Sequence, residues 1–215
     1  MSFKEKDREL LKWYQRQLQN SGAAVHLNAE IDDLDQLDAD AVVVATGATP
    51  KKLPLPGAER AISATAFLNG EAAVGDRVVI IGGGLTGCEI AYELALQGKH
   101  PAIVEMTPHL VGARGICMAN SSMLRELLRF HNVPAYLNAK VQAVTAEGVL
   151  IDGPEGERTV PADSVILSVG YTPDTRFAAQ RGQPNVYFIG DCDRVGSLKT
   201  VVKQAYELVQ QISYR

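Results

Sequence analysis

Apolar residues recur at helical spacing in several stretches of this chain. Near its start, Leu10, Leu11, Tyr14 and Leu18 fall on one face of a helix, and polar residues occupy the other face. The same spacing returns later in the chain. The pattern predicts helices at Lys4–Asn20, Leu85–Gln97, Ile116–Phe130 and Leu198–Ile212.

Short apolar runs without alternation separate these helices. Such runs are typical of parallel strands buried on both faces. A shorter apolar segment, Ala24–Leu27, predicts one more strand, and Ile31–Asp38 predicts a loop or a short helical turn. The longer runs predict strands at Ala41–Ala45, Arg77–Ile81, Ala102–Glu105, Ser164–Val169 and Val186–Ile189.

Between Val133 and Pro161 the apolar residues occur in short alternating segments. These have the sequences AYLN, KVQAV, GVLID and RTVP, with Gly148 and Asp152-Gly153 as turn signals. The pattern predicts an antiparallel β-meander. The chain as a whole therefore predicts an α/β fold, in which a Rossmann-type parallel sheet is combined with this meander.

Composition and charge exclude several classes of function. The 215 residues carry a net charge of −4 with dispersed Lys and Arg, so we expect no nucleic-acid partner. The apolar runs are too short to span a membrane, and the charged N-terminal stretch does not resemble a signal peptide. The thiols Cys88, Cys117 and Cys192 fit a reducing cytoplasm. They form no CxxC pair, and the histidines show no metal-binding spacing, so we predict no metal site.

One motif indicates specific chemistry, the G-x-G-x-x-G formed by Gly82, Gly84 and Gly87 between a predicted strand and a predicted helix. The first glycine permits a tight turn, the second lets a pyrophosphate approach the backbone, and the third lets the helix pack on the sheet. The backbone N–H groups that open the helix, at Leu85 and Thr86, face the phosphates. The motif predicts a nicotinamide-dinucleotide site.

The acid at the end of the second strand, Glu105, extends this motif. It lies about twenty residues after the glycines, where a carboxylate can hydrogen-bond the adenosine ribose. A carboxylate there repels a 2′-phosphate, so NAD(H) is favoured over NADP(H). Arg114 lies downstream and leaves NADP(H) open as an alternative.

Three further stretches, DADAVVVATGATP, DSVILSVGYTPDT and NVYFIGDC, accompany this motif in a set order. Together they resemble the pyridine nucleotide–disulfide oxidoreductase superfamily. The opening helix KWYQRQLQNSGAAVHLNAEI followed by ADAVVVATGATP is similar to the C-terminal flavin/NADH region of 2-enoate reductases and 2,4-dienoyl-CoA reductases.

The resemblance implies an NAD(H)-binding Rossmann domain at residues 71–167, inserted into a partial FAD-type Rossmann domain formed by residues 1–70 and 168–215. It implies that Gly190 and Asp191 hold the ribitol of FAD, with Gly170 at the preceding strand end. It also implies that Glu89 lies near the nicotinamide and the flavin, or else is a polar residue on a helix face. No residue is nominated as a catalytic acid or base, because the cofactors supply the chemistry.

The departures from the family pattern shape the expected function. The chain has no second G-x-G-x-x-G to bind the ADP half of FAD, so we expect a C-terminal fragment that binds FAD weakly by itself. The barrel domain that carries FMN, and the cysteines that bind an iron–sulfur cluster, would then lie in a missing N-terminal part of the parent. The expected role is to pass hydride from NADH to FAD and onward to a domain that reduces an activated C=C bond.

Two other functions stay open at this point. One is a non-catalytic nucleotide-binding module. The other is a different NADH:flavin oxidoreductase, such as an NADH oxidase or a rubredoxin-type reductase. Homo-oligomerisation also stays open, because apolar surface left by the missing strands would favour association.

Overall fold

The structure is a computed structural model that describes residues 1–112 and 117–213. The described chain divides into two compact units. The first contains Met1–Glu5 and Pro50–Gly170, and the second contains Lys6–Thr49 and Tyr171–Arg215. The assignment of 71–167 to NAD(H), and of 1–70 and 168–215 to FAD, stays a prediction.

The α-helices of the described chain are α1 (Glu5–Asn20), α2 (Ala64–Leu68), α3 (Leu85–Leu96), α4 (Met118–Phe130) and α5 (Leu198–Ser213). The strands are β1 (Val42–Val44), β2 (Ala48–Pro50), β3 (Ile62–Ser63), β4 (Arg77–Ile81), β5 (His100–Val104), β6 (Ala135–Tyr136), β7 (Lys140–Val144), β8 (Gly148–Gly153), β9 (Gly156–Pro161), β10 (Ser164–Leu167), β11 (Tyr171–Pro173) and β12 (Val186–Phe188). Short 3-10 helices lie at Leu34–Gln36, Ala58–Arg60, Ala178–Gln180 and Gly190–Cys192.

A five-stranded sheet in the order β3-β10-β4-β5-β6 forms the centre of the first unit. All of its neighbouring strands are parallel, and the path β4–α3–β5–α4–β6 gives two successive βαβ crossovers. Strand β4 alternates between two cores: Val78 and Ile80 pack with the helices, and Val79 and Ile81 pack with the meander β7-β8-β9. The predicted α/β fold with a parallel sheet and an antiparallel meander is confirmed.

The second unit is built on the parallel pair β1–β12. Its small core contains Leu34, Val44, Phe177 and Cys192. Strand β1 is parallel as predicted, but the expectation that both of its faces are buried is wrong, because Val43 is 44% exposed. The strands β2 and β11 pair with each other, and helix α1 has no buried residue.

Two predicted elements differ from the structure. The segment Ala24–Leu27 is not a strand, since no strand of the described chain pairs with it and Leu27 is 81% exposed. The segment AYLN does not join the meander. Its first two residues form β6, which pairs with β5 because the crossover through α4 brings it to the sheet edge. The predicted start of α4 at Ile116 lies outside the described residues.

Candidate functional site

The loop between β4 and α3 contains two glycines that the fold itself requires. Gly82 has a φ of +108°, and a Cβ there would lie 2.3 Å from the carbonyl oxygen of Ser168. A Cβ on Gly87 would lie 2.0 Å from the carbonyl oxygen of Gly82. Both positions therefore admit only glycine for steric reasons within the chain: one makes the turn, and the other allows helix and strand to approach closely.

Gly84 is different, because nothing in the fold requires a glycine at this position. Its φ of −68° and ψ of −177° are open to any residue. A Cβ placed on it would meet no atom within 4 Å. The residue is exposed at the surface of the loop. The space beside it is therefore available to a group from outside the chain.

Helix α3 begins directly after this open position. Gly84 is its N-cap, and no side chain caps it. The side chain of Leu85 packs against the helical core, and Thr86 is half-buried, so the first turn is held in place by the fold. An uncapped helix N-terminus presents backbone N–H donors and the positive end of the helix dipole, which is a favourable environment for a phosphate.

Glu105 lies against the same loop, one residue beyond β5. Its Oε2 accepts a hydrogen bond of 2.6 Å from the N–H of Gly83, and its Oε1 accepts one of 2.8 Å from the N–H of Thr107. These bonds fix the carboxylate in one orientation. Each oxygen still has a free lone pair, so the carboxylate can accept hydrogen bonds from a diol. Arg114, the candidate partner for a 2′-phosphate, lies outside the described residues.

The segment after Glu105 closes over the glycine loop. The N–H of Val111 donates to the carbonyl oxygen of Gly83 over 2.8 Å, and Leu110 occupies the space where a Cβ of Gly83 would lie. Val111 has a φ of +53°, which is unfavourable for a β-branched residue. No motif in the sequence indicates a role for Leu110 or Val111.

Glu89 lies in the second turn of α3 and forms an ion pair with Lys4. The two charged atoms, Lys4 Nζ and Glu89 Oε1, are 2.6 Å apart, and the Glu89 side chain is only 15% exposed. Nothing in the sequence indicated this partner. The structure thus places Glu105 against the loop that contains Gly82 and Gly84, and it places Glu89 in the second turn of the helix that follows. The roles of these residues in cofactor binding stay predictions.

Cys88, which follows the fingerprint, is not a reactive thiol. Burial, together with the nearby carboxylates of Glu105 and Glu89, raises the pKa of its thiol to about 12. Its Sγ lies 3.3 Å from the carbonyl oxygen of Gly83. The thiol therefore stays protonated near neutral pH and acts as a small buried side chain.

The other predicted positions lie after strands β10 and β12. Gly170 has a φ of +91°, and its carbonyl oxygen accepts a hydrogen bond from the N–H of Lys51. Gly190 has a φ of +71° and donates its N–H to Oε1 of Gln204 on α5 over 2.8 Å. The Oδ1 of Asp191 accepts a hydrogen bond of 3.0 Å from the N–H of Gly196.

Helix α5 holds the loop that contains Gly190 and Asp191. Gln204 fixes the turn at Gly190, and the half-buried Asp191 presents a carboxylate with remaining acceptor capacity. The Gly-Asp pair is recognisable in the sequence, whereas no sequence motif points to Gln204. No group of three or more His, Cys, Asp or Glu within 1–112 and 117–213 could hold a metal ion. No described helix is long and apolar enough to cross a membrane.

Comparison with known proteins decides the family. The family model for pyridine nucleotide-disulphide oxidoreductases matches residues 15–184. The chain belongs to this family. The match covers the Rossmann fingerprint, and it extends from within α1 to just before β12.

Several known proteins are similar to the chain over most of its length. Cinnamate reductase of Clostridium sporogenes is 35% identical over 98% of the chain, and NADH oxidase of Thermoanaerobacter brockii is 28% identical over 93%. The crystal structure of a 2-naphthoyl-CoA reductase complex superposes with a TM-score of 0.80 at 28% identity over 91% of the chain. The predicted resemblance to the 2-enoate reductase family is confirmed.

The chain is shorter than these relatives. It spans 32% of the length of cinnamate reductase and of the NADH oxidase, and 30% of the 2-naphthoyl-CoA reductase chain. The comparison therefore shows an oxidoreductase family and a shared fold.

Proposed function

We propose that the first unit binds NADH at the N-terminus of α3, as the electron-input portion of a flavin-dependent reductase. The observation that supports this most strongly is Gly84. Its backbone conformation and its surroundings give no internal reason for a glycine, yet it caps the helix at the point where a pyrophosphate would approach. The open N–H groups of Leu85 and Thr86 would hold the phosphates.

The fixed carboxylate of Glu105 favours NADH over NADPH. Its two oxygens are oriented by backbone N–H groups and keep lone pairs for the adenosine ribose diol. A 2′-phosphate would bring like charge next to this carboxylate, which is unfavourable. We therefore expect a lower dissociation constant for NADH than for NADPH, and tighter binding of NADPH would contradict the proposal.

For FAD, the residues present fit the ribitol side of the cofactor. The carboxylate of Asp191 has the free acceptor capacity that a ribitol hydroxyl needs, and the turn that carries it is anchored by Gln204. The chain contains no second G-x-G-x-x-G for the ADP half. We therefore propose that FAD binds weakly to this chain and more tightly in a longer parent protein.

When bound, NADH and FAD would supply hydride transfer between the nicotinamide and the flavin. The contribution of this chain is to hold and orient the nucleotides, and none of its described residues is needed as an acid or base. The electrons would pass onward to a barrel domain of the parent that carries FMN and an iron–sulfur cluster. Reduction of an activated C=C bond there is supported by the similarity to cinnamate reductase.

A partner surface is also consistent with this proposal. Helix α5 exposes a row of apolar side chains at helical spacing, namely Leu198, Val202, Tyr206 and Val209. Contiguous apolar surface of this kind marks a protein interface. The rest of the parent chain or a second copy would cover it.

The proposal can be tested by mixing the purified chain with excess FAD and NADH under anaerobic conditions and following the visible absorption of the flavin. We expect the visible absorption of the flavin to bleach faster with the chain than without it. A chain that binds NADH but never accelerates bleaching would contradict electron transfer. That outcome would instead support a non-catalytic nucleotide-binding module, which the single fingerprint of this sequence favours as the second candidate.

A further inference from the structure

The first residues of the chain lie along helix α3. The N–H and the hydroxyl of Ser2 donate to Oε2 of Glu93 over 2.7 Å and 2.9 Å. The ring of Phe3 contacts that of Tyr92, with centroids 5.2 Å apart. One residue further on, Lys4 reaches Glu89. The segment therefore runs towards the N-terminal end of the helix.

Burial strengthens this attachment. Glu93 is only 8% exposed, and Met1 packs against the helical core. Burial opposes ionisation of Glu93, but the hydrogen bonds from Ser2 and Gln97 outweigh it and lower the pKa of this carboxyl. The carboxylate is thus a fixed acceptor at neutral pH. The contacts of Met1, Ser2 and Phe3 hold the segment against α3, so Lys4 lies beside Glu89.

That place is next to the proposed phosphate site. Glu89 is the fifth residue of α3, about 6 Å along the axis from Leu85. Side chains on a helix lean towards its N-terminus, so the carboxylate of Glu89 covers the turn that contains Leu85 and Thr86. A negative charge at this position would repel a bound pyrophosphate.

We propose that Lys4 enables dinucleotide binding by compensating the charge of Glu89 beside the phosphate site. Lys4 is then a positioning residue that acts through Glu89. The inference rests on the proposed NADH site and goes beyond it, because it assigns a binding role to a segment outside the Rossmann fingerprint.

The test is a titration of NADH against K4Q in the full chain at low salt. We expect the dissociation constant to rise about five- to tenfold, because one uncompensated charge then faces the pyrophosphate through a partly aqueous environment. In about 1 M salt, where the Debye length is about 3 Å, the difference should fall below about twofold. K4R, which keeps the charge, should bind as the wild type does.

Two controls separate charge compensation from other roles. K6Q removes the same charge from an exposed lysine that pairs with Glu9, so it should leave NADH binding unchanged. The double variant K4Q/E89Q removes both charges and should restore wild-type affinity. If the double variant binds as weakly as K4Q, Lys4 does not act through Glu89, and the proposal is wrong.

The remaining outcomes are also decisive. Unchanged affinity in K4Q, or a loss that persists in high salt, contradicts charge compensation. Should K4Q fail to fold, E89Q decides: it should bind NADH at least as tightly as the wild type, and weaker binding overturns the proposal. If the wild-type chain binds neither NADH nor NADPH, the proposed function itself fails.

Discussion

Substitution of Gly84 by serine separates what the fold needs from what the ligand needs. The residue already has the extended conformation of a helix N-cap, and a Cβ there meets nothing within 4 Å. A serine hydroxyl can accept a hydrogen bond from the N–H of Thr86 or Gly87, the second and third residues of the helix. The N–H of Thr86 is also a proposed phosphate donor, so capping competes with the nucleotide.

We expect the substitution to stabilise the fold slightly and to weaken NADH binding. Serine is a slightly better N-cap than glycine, so the free energy of unfolding of G84S should rise by up to a few tenths of a kcal/mol. Loss of one charge-assisted hydrogen bond to the pyrophosphate weakens binding by about 1.5–3 kcal/mol. That corresponds to a dissociation constant for NADH roughly 10- to 100-fold higher.

The assay combines urea unfolding with a fluorescence titration of NADH. G84A is the matched variant, since it adds a Cβ without a cap and should be less stable than G84S. G87A is the steric control: its Cβ would lie 2.0 Å from a backbone oxygen, so it should lose about 1–3 kcal/mol of stability. A G84S protein as unstable as G87A, or one that binds NADH like the wild type, would refute the reasoning.

Three further predictions concern stability and thiol chemistry. In urea unfolding, V111G should be more stable than V111A by about 1 kcal/mol, because glycine adopts the positive φ of +53° without the steric cost that a Cβ causes. A V111A protein that is more stable than V111G would contradict this. In the native protein, a thiol reagent at mildly alkaline pH should label the exposed Cys117 and spare the buried Cys88, because hydrogen bonds from the backbone N–H groups of Asn120 and Ala119 lower the pKa of the Cys117 thiol. Mass spectrometry that finds Cys88 labelled first would be inconsistent with its burial. Hydrogen bonds from Arg77 lower the pKa of Asp163 from 3.8 to about 2, so the carboxylate contributes its full stabilisation above the unfolded pKa and loses it as the pH falls through 2. The thermal unfolding temperature of the wild type should therefore exceed that of D163N at neutral pH, and the difference should close in this acid range. A difference that stays constant with pH would disprove the linkage.

The sequence predicted the first unit best where local geometry determines the structure. The strand–glycine–helix element from β4 to α3 depends on short-range sterics, so Gly82 and Gly87 identify it without reference to the rest of the chain. The meander was found because its strands alternate in polarity. Glu105 was found because its distance from the glycines is set by one helix and one strand.

Other features depend on contacts between distant residues and could not be predicted. A two-residue strand such as β6 has no periodicity, and its pairing with β5 is decided by the crossover. The exposure of Val43 depends on what packs against β1, which the apolar run does not show. The ion pair of Lys4 with Glu89 joins residues far apart in the sequence, and neither belongs to a recognisable pair motif.

The positive φ of Val111 is a further example. The sequence gives no reason to expect a left-handed valine, and its conformation follows from the hydrogen bond to Gly83 and from burial of its side chain. Energetically unfavourable backbone conformations of this kind are found where the surrounding structure enforces them, often next to binding sites. Here the residue stabilises the loop that orients Glu105.

The most direct test of the central claim is an NMR titration of the ¹⁵N-labelled chain with NADH. If the N-terminus of α3 binds the pyrophosphate, the backbone amides of Leu85 and Thr86 should show the largest shifts, because they become donors to charged phosphate oxygens. The amides around Glu105 should shift next. Saturable binding of NADH that leaves these amides unchanged would contradict the account.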